Sequence, residues 1–132
     1  MRIITGKYKG RMITTVPDKS VRPATDRVKS TIFNTLQTRL ALNGAHVLDL
    51  FAGSGNLGFE ALSRGAANVV FVEDSRFALT EIRGNAERLG CSDECEFLQS
   101  DALAFMKHAG ESFDLIFADP PYRFEEVTVL PS

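Results

Sequence analysis

Four short strings in this 132-residue chain combine residue types that could do chemistry. The first is Asp49-Leu50-Phe51-Ala52-Gly53-Ser54-Gly55-Asn56-Leu57-Gly58. Glycines between a strand and a helix let a ligand approach the backbone, and the helix start offers N–H groups that lack a helical partner. Gly53-x-Gly55-x-x-Gly58 satisfies the dinucleotide fingerprint, so this string alone admits a nicotinamide dehydrogenase as readily as a methyltransferase. Asp49 tilts the choice. A carboxylate at the end of the strand repels a pyrophosphate but accepts a hydrogen bond from an ammonium. S-adenosylmethionine has such an ammonium on its amino-acid end and no phosphate. A tight turn capped by Asp49 is the purely structural alternative.

Glu73 lies at the end of a second apolar run, 20 residues beyond Gly53. A doubly wound fold places there the acid that chelates two ribose hydroxyls. Its neighbour Asp74 is the weaker of the two candidates and reads as solvated. Ser100-Asp101-Ala102 follows a third run. Asp101 could accept from an adenine amino group while the Ala102 N–H donates to the ring, or it could simply cap a helix. The fourth string, Asp119-Pro120-Pro121-Tyr122, is the most specific. An amine on an aromatic base is a poor nucleophile because its lone pair is delocalised into the ring. Two acceptors on its N–H groups, the Asp119 carboxylate and the Pro120 carbonyl, favour a geometry that aims the lone pair at a methyl group. Pro120 and Pro121 have fixed φ and no N–H, so the loop presents carbonyls with little flexibility. Tyr122 offers a face on which a splayed-out base can stack.

The elements that must position these strings follow from periodicity and punctuation. Residues 2–5 and 11–16 read as two short strands joined by Gly6–Gly10, a small basic hairpin. Pro17 to Pro23 is a loop, after which Thr25 can cap a helix over about residues 26–41 with the stripe Val28, Ile32, Leu36, Leu40, widened by Phe33. Strands are expected at 47–51, 69–72, 96–99 and 113–118. Helices are expected from the glycine turn to about Arg64, from Ser75 to Gly90, and over 102–108. Alternating strands and helices describe an α/β domain with a parallel sheet and helical crossovers. The expected division is a basic hairpin and loop over 1–24 and a core over 25–132.

Net charge is −2, but residues 1–30 carry +6 and the remaining 102 residues −8. A basic arm on an acidic body suits docking to a polyanion, although solvated side chains would look the same. Cys91 and Cys95 have no His partner nearby and read as two reduced thiols at a helix–strand junction. No ligand cluster for a metal is apparent. No apolar run is long enough to cross a bilayer, and basic residues interrupt the N-terminus where a signal peptide would need an apolar stretch. A cytoplasmic location is the default expectation.

Taken together, the strings resemble the class I methyltransferases that modify exocyclic amines, whose pattern is a glycine-rich turn plus (Asp/Asn)-Pro-Pro-(Tyr/Phe). The resemblance narrows at the N-terminus. Arg2-Ile3-Ile4-Thr5-Gly6-Lys7-Tyr8-Lys9-Gly10-Arg11, Arg22-Pro23-Ala24-Thr25-Asp26-Arg27-Val28-Lys29, Phe33-Asn34 and Glu60-Ala61-Leu62-Ser63-Arg64-Gly65 are similar to the RsmD family of 16S ribosomal RNA (guanine-N2)-methyltransferases. It covers residues 1–122 and implies S-adenosylmethionine as cofactor, held by Asp49, Phe51, Ala52, Gly53, Ser54, Gly55, Glu73, Asp74, Asp101 and Ala102. It implies Asp119, Pro120, Pro121 and Tyr122 as the reaction loop. Ribosomal RNA or the small ribosomal subunit is the implied partner, contacted by Arg2, Lys7, Lys9, Arg11, Arg22, Thr25 and Arg27. The family's sheet is larger than four strands, whereas only about ten residues follow Tyr122. The chain is therefore expected to be truncated at its C-terminus, with the strand before Asp119 as an exposed edge. Rival readings are an adenine-N6 DNA methyltransferase, sharing every core string, and an inactive module that binds RNA or cofactor. A dehydrogenase gives no role to Asp119-Pro120-Pro121-Tyr122.

Overall fold

A computed structural model describes residues 2–13, 26–39, 42–50, 52, 55–101, 104–105 and 113–118. Its elements, in order, are α1 (Asp26–Arg39), β1 (His46–Leu50), α2 (Asn56–Ser63), β2 (Asn68–Glu73), α3 (Arg76–Leu89), a 3-10 turn (Ser92–Glu94), β3 (Cys95–Gln99) and β4 (Leu115–Ala118). The strands form one parallel sheet in the order β3-β2-β1-β4. Strands buried on both faces need continuous apolar runs, and these have them: Val69–Val72 and Leu115–Ala118 are buried without a break.

Alternation along the strands builds two cores. Val47, Val69, Phe71, Leu115 and Phe117 face one side, where they meet Phe33 of α1, Phe59 and Leu62 of α2, and Leu79, Ile82, Ala86 and Leu89 of α3. Leu48, Leu50, Val70, Val72, Ile116 and Ala118 face the other side, packed with Phe113, Leu98 and Phe105. Phe71 joins the first core to both neighbours, stacked on Phe97 and tilted against Phe59. The expected stripe of α3 is buried as read, and Ser75 caps that helix by accepting from the Ala78 N–H. Gly90 ends it with a φ of 74°, the left-handed stop that glycine favours.

Several boundaries differ from expectation. Among the described residues of the expected hairpin, one antiparallel bridge pairs Arg2 with Met12, with Ile3 N–H donating to the Arg11 carbonyl, and residues 14–16 of the expected second strand lie outside the described ones. Residues 2–13 are held mainly by tertiary bonds, and Ile3 and Ile13 belong to the sheet's own core. Helix α2 already begins at Asn56, inside the stretch read as turn, because the turn's bonds close at Gly55. In α1 the fully buried residues among those described are Lys29 and Phe33, while Ile32 is half-buried. Phe33 and Ile32 of the predicted stripe pack on the core, while the burial of Val28, Leu36 and Leu40 lies outside what is described. Lys29 joins them inside because it meets a buried carboxylate, which a hydropathy pattern cannot show. Among the described residues β4 stands at one side of the sheet, and its side chains are buried because both faces are covered. The predicted short helix near 102–108 shows as helical at Ala104 and Phe105, its remaining residues lying outside the described ones.

Candidate cofactor and substrate site

The sheet order itself marks where a ligand belongs. The chain moves from β1 to β2 to β3 in one direction, then returns to place β4 on the other side of β1. Such a reversal opens a crevice at the carboxyl ends of the two strands that flank it. Leu50 pairs with Val72 and with Ala118, and Val72 with Leu98, so all four strands end at nearly the same height. Glu73 is level with Gln99, one step beyond that line. Asp101 follows two residues after Gln99, and residue 119 follows Ala118 directly. Acids therefore stand at the ends of three adjacent strands spaced about 5 Å apart.

Asp49 is nearly completely buried, and its Oδ2 accepts from the Gly58 N–H at 3.1 Å. The carboxylate thus bridges the end of β1 and the first turn of α2. The turn between them is pinned on the sheet side by Ala52 N–H donating to the Val72 carbonyl, and closed by Gly55 N–H donating to the Ala52 carbonyl. Gly55 has a φ of 81°, where a side chain would be strained. Gly58 is required for a different reason: a Cβ there would sit 2.4 Å from Phe71 Cε1 and 2.9 Å from Val69 Cγ1. The last glycine of the fingerprint lets α2 press onto the sheet, while Gly55 shapes the turn.

Glu73 is half-buried and its Oε2 accepts from the Ser75 N–H at 2.8 Å, which orients the carboxylate at the end of β2. Asp74 is exposed, as expected of the weaker candidate. Asp101 caps the next helical turn, its Oδ1 accepting from the Ala104 N–H at 3.0 Å. The capping reading of Asp101 therefore holds, with its second carboxylate oxygen on the same exposed side chain. Phe51, Gly53, Ser54 and Ala102, and the loop Asp119, Pro120, Pro121 and Tyr122, lie outside the described residues. So do Arg22 and Thr25 of the basic segment.

Of the remaining basic candidates, Arg2, Lys7, Lys9, Arg11 and Arg27 are exposed. They do not form one cluster beside the strand ends. Lys7 N–H donates to the Ser63 carbonyl at the C-terminal end of α2, and the Arg11 guanidinium donates to the Arg88 carbonyl near the end of α3. The hairpin tip is thus displaced from the glycine turn by the length of α2, about 12 Å for eight residues. Lys29, counted in the basic arm by charge alone, is fully buried and contributes nothing to that surface.

Sequence reasoning missed the network that holds this arrangement. Glu60, fully buried on α2, accepts from the Ile4 and Thr5 N–H groups at 2.9 and 3.1 Å. It also pairs with Lys29 Nζ at 3.1 Å and Arg64 Nε at 3.0 Å. Ser63 Oγ donates to the Thr5 carbonyl and accepts from the Tyr8 N–H. Arg64 lies over the Phe33 ring, 4.8 Å from its centroid. The i, i+4 spacing of Glu60 and Arg64 is the one local signal of this network that a sequence carries.

At the helix–strand junction, Cys91 and Cys95 are free thiols whose sulfurs stand 3.9 Å apart. Their shared hydrogen bond lowers the Cys91 thiol below the usual range, while the same bond and burial push Cys95 up. Among the described residues no group of three or more metal-ligating side chains comes together.

A parallel sheet with a glycine turn after β1 and acids at the ends of β1, β2 and β3 has the Rossmann-like architecture of class I methyltransferases. An S-adenosylmethionine-dependent methyltransferase from Thiobacillus denitrificans shares this fold, with a TM-score of 0.61 at 23% identity over 78% of this chain and 43% of that one. Residues 1–131 match the family described as conserved hypothetical protein 95, and the chain belongs to that family. It is 40% identical over 127 residues to the ribosomal RNA small subunit methyltransferase D of Haemophilus influenzae, covering 94% of this chain and 65% of that protein. A hypothetical protein of Thermus thermophilus superposes with a TM-score of 0.83 at 30% identity, over 95% of this chain and 71% of its own. The chain thus spans slightly less than two thirds of the length of the Haemophilus relative.

Proposed function

We propose that this chain carries the cofactor site and reaction loop of a methyltransferase. It would move a methyl group from S-adenosylmethionine to the exocyclic amine of a guanine in small-subunit ribosomal RNA. The observation that carries the reading is the row of carboxylates, Asp49, Glu73 and Asp101, at the ends of β1, β2 and β3 beside a glycine turn. This set of carboxylates fits the cofactor: it supplies acceptors for an ammonium, a ribose diol and an adenine amine, and its negative charge opposes a pyrophosphate. Asp49 would take the ammonium, Glu73 the ribose hydroxyls, and Asp101 with Ala102 the adenine edge. Phe51, Ala52, Gly53, Ser54 and Gly55 would bring backbone close to the ligand, with Asp74 at the periphery.

When bound, the cofactor supplies an electrophilic methyl group on a positively charged sulfur. The chain's residues orient the nucleophile. The Asp119 carboxylate and the Pro120 carbonyl accept the two amine N–H groups, Pro121 stiffens the loop, and Tyr122 stacks on the base. Asp119 also stabilises the positive charge that passes to the amine nitrogen, and alignment lowers the barrier without a change of bonding in the protein. The amine loses its proton after transfer. β4 sits directly beside β1, with Ala118 level with Leu50, so the Asp119 loop that follows in sequence is read as facing the glycine turn. Lys7, Lys9, Arg11, Arg2 and Arg27, with Arg22 and Thr25, supply phosphate contacts, and the tip's displacement makes it a remote anchor on a large RNA. No helix among the described residues is long and apolar enough to cross a membrane. A cytoplasmic protein acting on the small ribosomal subunit or its RNA fits that.

Asp119→Ala should lower methyl transfer to ribosomal RNA by orders of magnitude with little change in cofactor affinity. Titration calorimetry against S-adenosylmethionine and, separately, NAD supplies the affinity. Binding of NAD alone, or equal loss of transfer and cofactor affinity in Asp119→Ala, would overturn the assignment.

A further inference from the structure

We infer that Lys29 is a positioning residue for the cofactor turn, acting through Asn56, and is no part of the surface that meets RNA. This role rests on the cofactor reading for its purpose, but its physical content is local and can be measured without ligand. Lys29 Nζ is surrounded by three oxygens from two segments: the Arg2 carbonyl at 2.8 Å in the N-terminal segment, and Asn56 Oδ1 at 2.6 Å and Glu60 Oε1 at 3.1 Å, both on α2. Asn56 is the first residue of α2 and follows Gly55, whose left-handed backbone forms the end of the glycine turn. Asparagine is a weak helix former, and α2 begins without a side-chain cap. Its side chain faces inward, nearly completely buried, and accepts from a buried ammonium. A hydrogen bond of that kind is about twice as strong as one between neutral groups.

The turn is therefore held from two sides. From the sheet, Asp49 grips Gly58 and Val72 grips Ala52. From α1, Lys29 grips Asn56 at the point where turn becomes helix. The ammonium is held in turn by Glu60, which also fastens the backbone of Ile4 and Thr5. Removing the Asn56 oxygen leaves Lys29 paired with Glu60 and Arg2, so the fold keeps its buried ion pair while the turn loses its outer anchor.

The test compares Asn56→Ala and Asn56→Asp with the native chain, with amide hydrogen exchange as the first readout. In Asn56→Ala the amides of Gly55, Gly58 and Phe59, which close the turn and start α2, should exchange about tenfold faster. The Ile4 and Thr5 amides, held by Glu60, should exchange at the native rate. Asn56→Asp, which keeps an acceptor oxygen for Lys29, should restore the slow rates. Calorimetry with S-adenosylhomocysteine as probe should show about tenfold weaker binding in Asn56→Ala and recovery in Asn56→Asp. Native exchange at Gly55, Gly58 and Phe59 in Asn56→Ala, or an equal rise at every amide, would overturn the positioning role. A native chain that takes up no S-adenosylhomocysteine would overturn the cofactor reading instead, and the exchange pattern would still decide the role of Lys29.

Discussion

Replacing Glu60 by alanine should be among the most damaging single changes available in this chain. The carboxylate is fully buried and serves four donors: the Ile4 and Thr5 N–H groups, Lys29 and Arg64. Alanine takes the Glu60 charge away from two buried cations that stand close together and removes the acceptor of two backbone donors. Stripping one partner from a buried ion pair costs about 3–5 kcal/mol. The orphaned amides add to that unless water enters, so the expected loss is about 5 kcal/mol. Small domains are stable by only about 5–15 kcal/mol, so the variant should be largely unfolded or close to it. In urea denaturation, with a slope of about 1.5 kcal/mol per molar, the midpoint should fall by about 3 M. Glu60→Gln keeps the volume and one acceptor but not the charge, and should lose about half as much. Adding Lys29→Met to Glu60→Gln should recover part of the loss, because one of the uncompensated charges is gone. A fall of less than about 1 kcal/mol in Glu60→Ala would refute the claim that this carboxylate joins the N-terminal segment, α1 and α2.

Three further outcomes follow from single contacts. Gly58→Ala should cost about 1–3 kcal/mol in thermal unfolding, because the added methyl meets the Phe71 ring at 2.4 Å and Val69 at 2.9 Å. Asp49→Asn keeps an oxygen for the Gly58 N–H and should melt near the native temperature. Calorimetry should show its affinity for S-adenosylmethionine lowered about tenfold or more, since the ammonium loses a charged acceptor. Burial, with the nearby Cys91 next in weight, raises the Tyr8 hydroxyl above its ordinary value of 10.0. A raised folded-state value means the contribution is whole below pH 10 and is lost as pH climbs through the folded value. Tyr8→Phe should therefore flatten the alkaline fall of the urea midpoint above that pH.

The sequence by itself determined the order of elements and the places where ligand-binding carboxylates could stand. Apolar runs of four to six residues separated by helical stripes admit little except a parallel sheet, because period and length are local properties. Glycines with an acid before them, and further acids at the ends of successive runs, are likewise local strings. The α3 stripe and its two caps came out as read for that reason. Tertiary structure decided what no local string encodes. Strand order β3-β2-β1-β4, which brings β4 beside the glycine turn, is a matter of which edges meet across the chain. The role of Gly58 depends on Phe71, thirteen residues away on another element. Lys29 looks like one more cation in a basic arm until Glu60, 31 residues further on, is placed against it. A buried charge costs too much to be tolerated alone, so its position can be read only once the partner that offsets the lost water is in place.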